Sequence, residues 1–274
     1  MIVPAGAALS VRCLPLGPLL ANCYVLSVAG VPPAGECSTG VPPVSITPVP
    51  GVVAQDSPPI PHGQDARDTP DAHATHGQDA HATRDICWLV DPAAPTDLLL
   101  GLLDRLNLVP ERILITHAHG DHISGVGDIK RRFPRAVLTA PAAEADMLGD
   151  PLANLSLMLG MPVVAPPPDD PVEPGRRLRL GELEWQVLDV AGHSPGGAAY
   201  YCAAAGVAIV GDTLFAGGIG RTDLPGSDDA RLVRNIRQNL LSLPDATGIL
   251  PGHGPSTTVA LEKRENPWLA PRTM

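Results

Sequence analysis

The sequence predicts an α/β (α+β) fold in which helices pack against β-sheet. Short apolar runs bounded by glycine, proline and asparagine recur along the chain, which is the pattern of buried strands. Longer stretches between these runs repeat apolar residues at helical spacing. Several predicted strands end in a glycine followed by histidine or aspartate. Together, these observations predict a sheet whose strand ends supply one polar site.

The first half of the chain is predicted to form a hairpin, a strand, a helix and a further strand. Apolar runs at 11–14 and 22–28 flank a Gly-Pro turn, which is the usual signal for a hairpin. The run 86–90 stops at an Asp-Pro pair, and residues 96–106 then repeat apolar side chains at helical spacing after a proline. The apolar run 112–115 is the next buried strand.

The second half is predicted to continue with helices and then with strands. The same patterns predict helices over 123–133, 142–148 and 152–159, and strands over 136–139, 177–180, 183–190, 207–210 and 248–250. A Gly-Glu turn makes a hairpin of 177–180 and 183–190, and a proline-rich loop covers 162–174.

Residues 30–85 are predicted to be a disordered insertion in a single domain that spans 1–274. The insertion holds ten prolines but no leucine and no aromatic residue, so it cannot offset its own ordering entropy. Its second half repeats itself and contains four of the nine histidines. A tract that binds zinc loosely is one interpretation, but repeat expansion in a solvated loop is favoured because such tracts lack fixed ligand geometry.

Composition argues against several classes of partner. The formal net charge is −10 and the only lysines are Lys130 and Lys263, so neither nucleic acid nor an anionic membrane is an expected partner. No apolar run is long enough to cross a bilayer, and residues 1–9 lack the features of a signal peptide. We therefore expect a cytoplasmic protein that acts on a small molecule. The five cysteines include no C-x-x-C pair, which favours reduced thiols over disulfides.

The clearest functional signal is the stretch 116–122, Thr-His-Ala-His-Gly-Asp-His, which follows a predicted strand. His117 and His119 are two residues apart, so their side chains are expected on the same side of the chain. The glycine allows a sharp turn that places Asp121 and His122 in the first turn of the next helix. Four metal-type ligands within about two turns of chain predict a metal centre.

Three further ligand-type residues follow later strands. His193, Asp212 and His253 each come directly after a glycine near the carboxyl end of an apolar run. Five histidines and two aspartates are too many for one tetrahedral ion and suit two. The strand positions assign His117, His119 and His193 to one ion, Asp121, His122 and His253 to the second, and Asp212 to a bridge between them. The set contains no thiolate, so Zn, Fe and Mn are all acceptable ions, and we expect two Zn ions.

Such a centre predicts hydrolysis. Two ions about 4 Å apart can hold a bridging hydroxide near neutral pH and polarise a carbonyl. Asp121 and Asp212, the two carboxylates of the set, are the predicted catalytic residues. No lysine, tyrosine or cysteine is clearly placed to protonate a poor leaving group. A thiol of pKa about 8.5 leaves readily without a proton, which favours a thioester substrate over an amide.

Three residues outside the ligand set have two interpretations each. Asp91 ends a predicted strand, and it could fix the ligand loop or one imidazole, or it could only form an Asp-Pro turn. Arg221 and Asp223 lie in a glycine-rich loop that follows Asp212. They could bind the substrate, with Arg221 holding a carboxylate, or they could form a salt bridge that braces the loop.

These motifs resemble the metallo-β-lactamase fold superfamily. The 116–122 stretch and the later Gly-His, Gly-Asp and Pro-Gly-His motifs occur in the order of that family, and residues 16–24, 220–226 and 251–267 resemble the small bacterial hydrolases related to type II glyoxalase. The resemblance implies a four-layer αβ/βα sandwich with the metal site at one edge. It also implies activity like that of a hydroxyacylglutathione hydrolase, on an ester of glutathione or another thiol, and the same assignment of the seven ligands.

The resemblance leaves open which thiol is recognised, and it offers a persulfide dioxygenase as the runner-up enzyme class. Type II glyoxalases continue into a helical domain that binds glutathione, whereas only 21 residues follow His253, so the recognition of glutathione stays open. A persulfide dioxygenase resembles the chain in the same cluster and at 220–223, and it would hold a single non-haem iron with His117, His193 and Asp212. The Leu-Pro-Gly sequence that follows favours the hydrolase.

Overall fold

A computed structural model describes residues 9–28, 45–48 and 85–269, and the strands of these residues form two large sheets and a short ribbon. The first sheet consists of β1 (Leu9–Leu16), β2 (Ala21–Val28), β3 (Ser45–Pro48), β4 (Asp85–Val90), β5 (Leu108–Leu114), β6 (Val137–Pro141) and β7 (Asp170–Val172). Its order is β3-β1-β2-β4-β5-β6-β7, with β4 to β7 parallel to one another.

The second sheet is built from the rest of the chain. It consists of β8 (Arg177–Leu180), β9 (Leu183–Asp189), β10 (Ala198–Cys202), β11 (Val207–Gly211), β14 (Gly248–Pro251) and β15 (Thr257–Thr258). Between β11 and β14, the strands β12 (Leu214–Phe215) and β13 (Gly218–Ile219) form the separate short ribbon. Its order is β15-β14-β11-β10-β9-β8. Strands β11 and β14 are parallel, so both end at the same edge of this sheet.

Helices cover the outer face of each sheet. The first sheet packs against α1 (Asp97–Arg105), α2 (Gly120–Ile123), α3 (Val126–Arg132) and a 3₁₀ helix (Ala142–Gly149). The second packs against α4 (Asp229–Asn235), a π-helical turn (Ile236–Leu240) and α5 (Val259–Glu265). A third apolar layer joins the two sheets. The architecture is therefore the αβ/βα sandwich that the resemblance implies. None of the described helices is long and apolar enough to cross a membrane.

Burial on both faces explains why the central strands are apolar throughout. In β11, Val207 and Ile209 pack between the sheets, whereas Ala208 and Val210 pack beneath the outer helices. A strand covered on both sides has no polar face, so it appears in the sequence as a continuous apolar run. Every strand predicted from such a run is present, with its ends shifted by a few residues.

Three predicted helices differ from the structure. Residues 152–159 form successive turns and not a helix: Leu155 adopts a positive φ of 63°, and the Asp150 carboxylate accepts the backbone N–H of Leu152 at 2.9 Å. Short polar side chains compete in this way with helical hydrogen bonds. The helix predicted over 123–133 is divided into α2 and α3, and the helix predicted over 142–148 is a 3₁₀ helix.

Two short strands lie where the sequence predicts irregular chain. Strand β7 falls in the predicted loop 162–174, and its central Pro171 is compatible with its position at the edge of the sheet. Strand β3 falls in the predicted disordered insertion and pairs in parallel with β1 at the opposite edge. The last residue of the insertion, Asp85, begins β4, and the remaining residues, with the histidine repeats, lie outside the described residues.

Candidate metal centre

The seven predicted ligands lie at one edge of the sandwich, where strands from both sheets end. The 116–122 stretch follows β5, and the other ligands follow β9, β11 and β14. The two sheets are joined at this edge because Ala198 N donates a hydrogen bond to Thr116 O at 2.8 Å. Residues far apart in sequence are thereby brought to one place.

Three histidines form the first ligand group. The ligand atoms of His117, His119 and His193 all lie within 4.8 Å of one another, and all three side chains are buried. His193 Nε2 and His119 Nδ1 are 3.1 Å apart, and the rings of His117 and His119 meet edge to face. His117 and His119 therefore point to the same place, as their spacing predicts.

Asp121, His122 and His253 form the second group, and their ligand atoms also lie within 4.8 Å of one another. Asp212 lies between the two groups. Its Oδ1 is 3.5 Å from His122 Nε2, and its Oδ2 is 3.5 Å from His253 Nε2 and 3.8 Å from His193 Nε2. This is the position that a bridging carboxylate requires.

Backbone carbonyls orient two of the imidazoles. His193 Nδ1 donates to Arg221 O at 2.8 Å, and His253 Nδ1 donates to Leu19 O at 3.0 Å. A proton held on Nδ1 leaves the Nε2 lone pair facing the cluster, which is the tautomer that a metal ligand needs.

Asp91 orients two more of the rings. Its carboxylate accepts Thr116 N at 2.8 Å, Thr116 Oγ1 at 2.6 Å and His122 Nδ1 at 3.1 Å. Thr116 Oγ1 in turn lies 3.1 Å from His117 Nδ1 and can accept its proton. Asp91 therefore makes both contacts that a supporting residue should make, one to the ligand loop and one to an imidazole.

Four polar side-chain atoms of the ligand residues are buried and have no hydrogen-bond partner. Among the described residues, His117 Nε2, His119 Nε2, His122 Nε2 and Asp212 Oδ1 are buried and unpaired. Buried polar atoms are nearly always hydrogen-bonded, so four unpaired atoms in one cluster need another partner. A divalent cation fits, because it takes lone pairs from imidazole nitrogens and carboxylate oxygens.

The electrostatics divide the cluster into two halves. Burial and the neighbouring histidines lower the pKa of His117 well below its usual value, and burial, with His193 nearby, lowers the pKa of His119 to about 3. Burial also acts to lower the pKa of His122, but the carboxylates of Asp212 and Asp121 outweigh it and raise that pKa well above its usual value. One half thus offers neutral imidazoles, and the other attracts positive charge.

Two glycines let the ligand loops approach one another. Gly211 has a φ of +52°, and a Cβ there would overlap the Thr116 side chain. A Cβ on Gly252 would overlap Asp212 and lie 2.8 Å from His122 Cε1. The glycines that precede Asp212 and His253 are therefore required by close packing at the site.

Glu144 is not among the predicted site residues; it lies in the 3₁₀ helix and is fully buried. Its carboxylate accepts Ala118 N at 2.6 Å and Gly196 N at 2.7 Å. Ala118 lies between two ligands and Gly196 follows His193, so Glu144 joins the two loops that carry the first ligand group. Burial raises the pKa of this carboxyl group.

Arg221 and Asp223 form a bidentate salt bridge at the rim of the site. Arg221 Nε and Nη2 donate to the two Asp223 carboxylate oxygens at 2.7 and 2.8 Å, and both side chains are exposed. This pairing favours the interpretation in which the two residues brace their loop. Arg221 also lines a cavity of about 490 Å³ above the cluster, together with the apolar Leu19, Met158 and Leu224.

Comparison with known proteins identifies the family. A model of the metallo-beta-lactamase superfamily matches residues 82–253. The probable metallo-hydrolase YqgX of Bacillus subtilis is 39% identical over 186 residues, which cover 68% of this chain and 88% of that protein. The hydroxyacylglutathione hydrolase GloC of Haemophilus influenzae is 34% identical over 183 residues, which cover 66% of this chain and 86% of that protein.

Solved structures agree with this assignment. The crystal structure of TTHA1623 in a di-iron-bound form has a TM-score of 0.67 and 29% identity, with 94% of this chain and 99% of that chain covered. That of ETHE1 from Myxococcus xanthus has a TM-score of 0.56 and 28% identity, with 69% of this chain and 75% of that chain covered. The fold, the cluster of candidate metal ligands and these similarities together show that the chain belongs to the metallo-beta-lactamase superfamily.

Proposed function

We propose that this protein is a metal-dependent hydrolase that cleaves a thioester at a dinuclear site. The observation that carries the proposal is the pair of three-residue ligand groups, with Asp212 between them, whose side chains include four buried atoms that have no hydrogen-bond partner. The ions are expected to be zinc. Iron and manganese suit the same donor atoms, and the similarity to the di-iron-bound TTHA1623 makes iron the first competitor to test.

In this proposal, each ligand group would hold one ion. The first ion would be held by His117, His119 and His193, the second by Asp121, His122 and His253, and both by Asp212. When bound, the two ions supply Lewis acidity and a water that is acidic near neutral pH. Hydrogen bonds from Nδ1 of His193, His253 and His122 to Arg221 O, Leu19 O and the Asp91 carboxylate turn the Nε2 atom of each ring toward the cluster.

Asp121 and Asp212 are the proposed catalytic carboxylates. Oδ2 of Asp121 lies 3.3 Å and Oδ2 of Asp212 lies 3.5 Å from His253 Nε2, so both oxygens border the space between the ligand groups. A water that attacks a carbonyl from this space can donate its hydrogen bonds to these oxygens. The two carboxylates would orient the attacking water.

The surroundings of the cluster favour a leaving group that needs no proton. Among the described residues that line the cavity above the cluster, there is no lysine, tyrosine or cysteine. Tyr24 is buried, its hydroxyl donates to Pro251 O at 2.7 Å, and burial raises its pKa well above the usual value. A thiolate leaves without protonation, whereas an amine does not. The similarity to GloC, named as a hydroxyacylglutathione hydrolase, supports the same choice of substrate.

A persulfide dioxygenase is the second candidate. His117, His193 and Asp212, the residues that would hold a single iron, lie together: the two imidazole rings are 5.1 Å apart, and His193 Nε2 is 3.8 Å from Asp212 Oδ2. This candidate needs one iron and consumes oxygen, so it can be separated from the hydrolase by experiment.

The test combines metal analysis with two assays on the same preparation. We expect about two zinc ions per chain, hydrolysis of S-acyl thioesters, and no oxygen uptake with glutathione persulfide. Asp121→Asn should remove one ion and most of the hydrolysis, whereas Asp104→Asn, a change at an exposed aspartate, should affect neither. One iron per chain with oxygen uptake would establish the dioxygenase and refute the hydrolase.

A further inference from the structure

We propose that a second cavity, beside Asp121, binds the acyl group of the substrate and selects an apolar one of medium length. This inference rests on the proposed thioester hydrolysis, and it adds which part of the substrate is recognised. The cavity has a volume of about 260 Å³. It lies between the β1–β2 turn, the start of α2 and the turns at 156–163.

The acyl cavity adjoins the metal cluster. Leu19, Gly120, Asp121 and Leu159 line both this cavity and the larger one above the cluster. Asp121 belongs to the second ligand group, so a group placed in the acyl cavity lies next to the reacting centre. A carbonyl at the cluster could therefore extend its substituent into this cavity.

The acyl cavity has few polar side chains, and its two serines each accept a hydrogen bond from the backbone. Ser124 Oγ accepts Ala94 N at 2.8 Å, and Ser156 Oγ accepts Val163 N at 2.8 Å. The third polar residue, Asp121, faces the cluster. The remaining lining is aliphatic side chain, proline and glycine. A polar acyl group would lose most of its hydration here and meet only the two serine hydroxyls in return, so the cavity favours an apolar group.

The volume sets the size of the group. A protein cavity of roughly 150 Å³ lined by aliphatic side chains binds benzene, so 260 Å³ holds a larger group. A chain of about six to eight carbons or a phenylacetyl group is the expected range. Each methylene buried there should raise kcat/KM about fourfold until the cavity is filled.

The side chains around the two cavities offer little charge that could recognise the thiol half of the thioester. Arg221 is the only arginine or lysine among the described residues that line either cavity, and its guanidinium is bound to Asp223. Glutathione carries two carboxylates and finds no unpaired lysine or arginine in these linings. Discrimination among acyl groups should therefore exceed discrimination among thiols.

The experiment measures kcat/KM for acetyl, butyryl, hexanoyl and octanoyl thioesters of glutathione and of the neutral thiol N-acetylcysteamine, with metal-loaded enzyme. We expect the rise of about fourfold per methylene with both thiols, and less than a threefold difference between thiols. Leu159→Asn should lower the ratio of hexanoyl to acetyl turnover at least tenfold. Leu157→Asn, an exposed leucine of the same segment outside both linings, should leave that ratio within twofold.

A binding measurement separates failure of this inference from failure of the proposed function. S-hexylglutathione should bind the metal-loaded protein at least tenfold more tightly than S-methylglutathione in calorimetry, and Leu159→Asn should remove the difference. Thioester hydrolysis with a flat chain-length profile would overturn the inference and leave the proposed function intact. Tight binding of the hexyl compound without hydrolysis of any thioester would overturn the proposed function and retain the acyl cavity.

Discussion

Replacement of Asp91 by asparagine should weaken metal binding without removing any proposed ligand. Asparagine has nearly the shape of aspartate, but one carboxylate oxygen becomes an N–H₂ group. The carbonyl oxygen can still accept Thr116 N. The amide nitrogen then faces His122 Nδ1, which donates to the carboxylate at 3.1 Å in the native protein. Two donors cannot share a hydrogen bond.

The imidazole can resolve this conflict only by changing tautomer. If His122 Nδ1 accepts from the new amide, its proton moves to Nε2, the atom that faces Asp212 at 3.5 Å and would bind the ion. A protonated Nε2 cannot bind a metal. Loss of a residue that orients a ligand typically weakens metal affinity by about 10- to 100-fold, and we expect that loss at the second ion.

The same change should lower the stability of the metal-free protein. At least one buried donor, on Thr116 Oγ1 or on His122, loses its charged acceptor, which costs about 2 kcal/mol. For a domain of this size, that free energy corresponds to a decrease in Tm of about 4–8 °C.

Two measurements test this reasoning. Zinc titration against a chromophoric chelator should show one site of nearly native affinity and one weakened site, and thermal unfolding after chelation should show the lower Tm. Asp104→Asn provides the matched control, because its carboxylate is exposed and its nearest cation, Arg132, is 3.8 Å away. If Asp91→Asn binds both ions as tightly as the native protein does, Asp91 does not set the tautomer of His122.

Three further predictions concern other parts of the structure. Glu144→Gln leaves the backbone N–H of either Ala118 or Gly196 without its acceptor, so Tm should fall by several degrees in calorimetry. The loss of zinc affinity should be smaller than in Asp91→Asn. Arg221→Ala breaks an exposed salt bridge, so KM for thioesters should stay within twofold while Tm falls slightly; a tenfold rise in KM would instead show substrate binding. Burial raises the pKa of Cys13 to about 11 and that of Cys87 to about 12, so little reactive thiolate is present at pH 8 in the folded protein. Iodoacetamide at pH 8 should therefore label both thiols at least about a hundredfold faster after unfolding, as measured by peptide mass spectrometry.

The candidate ligands could be predicted from the sequence because their signal is local. His193, Asp212 and His253 each follow a glycine at the end of an apolar run, and both the run and the glycine have a physical cause in the structure. The runs before Asp212 and His253 are apolar because both faces of their strands are buried, whereas the strand before His193 alternates apolar and polar residues because only one of its faces is buried. The glycines before Asp212 and His253 are present because a Cβ would overlap a neighbouring ligand loop. Such requirements leave a pattern within a few residues.

Glu144 leaves no such pattern. The two backbone groups that it binds are 26 and 52 residues away in sequence, and its own neighbourhood resembles an ordinary short helix. A glutamate in a helix is most often exposed, so composition gives no reason to place it in the interior. The turns at 152–159 were wrongly predicted for a related reason, because the positive φ of Leu155 depends on packing and is not specified by its residue type.

Backbone atoms and side chains of the loops around the cluster have different contacts. Leu19 and Arg221 hold His253 and His193 through their backbone carbonyls, while their side chains line the cavity above the cluster. A carbonyl is present whatever the residue type, so these side chains can change without releasing the imidazoles. The metal site constrains the backbone of these loops, and the substrate constrains their side chains. Membership of the superfamily therefore bears on the metal ligands more directly than on the substrate. Under the proposed function, the acyl group is selected by residues such as Leu159, which makes no hydrogen bond to a candidate ligand in the described chain.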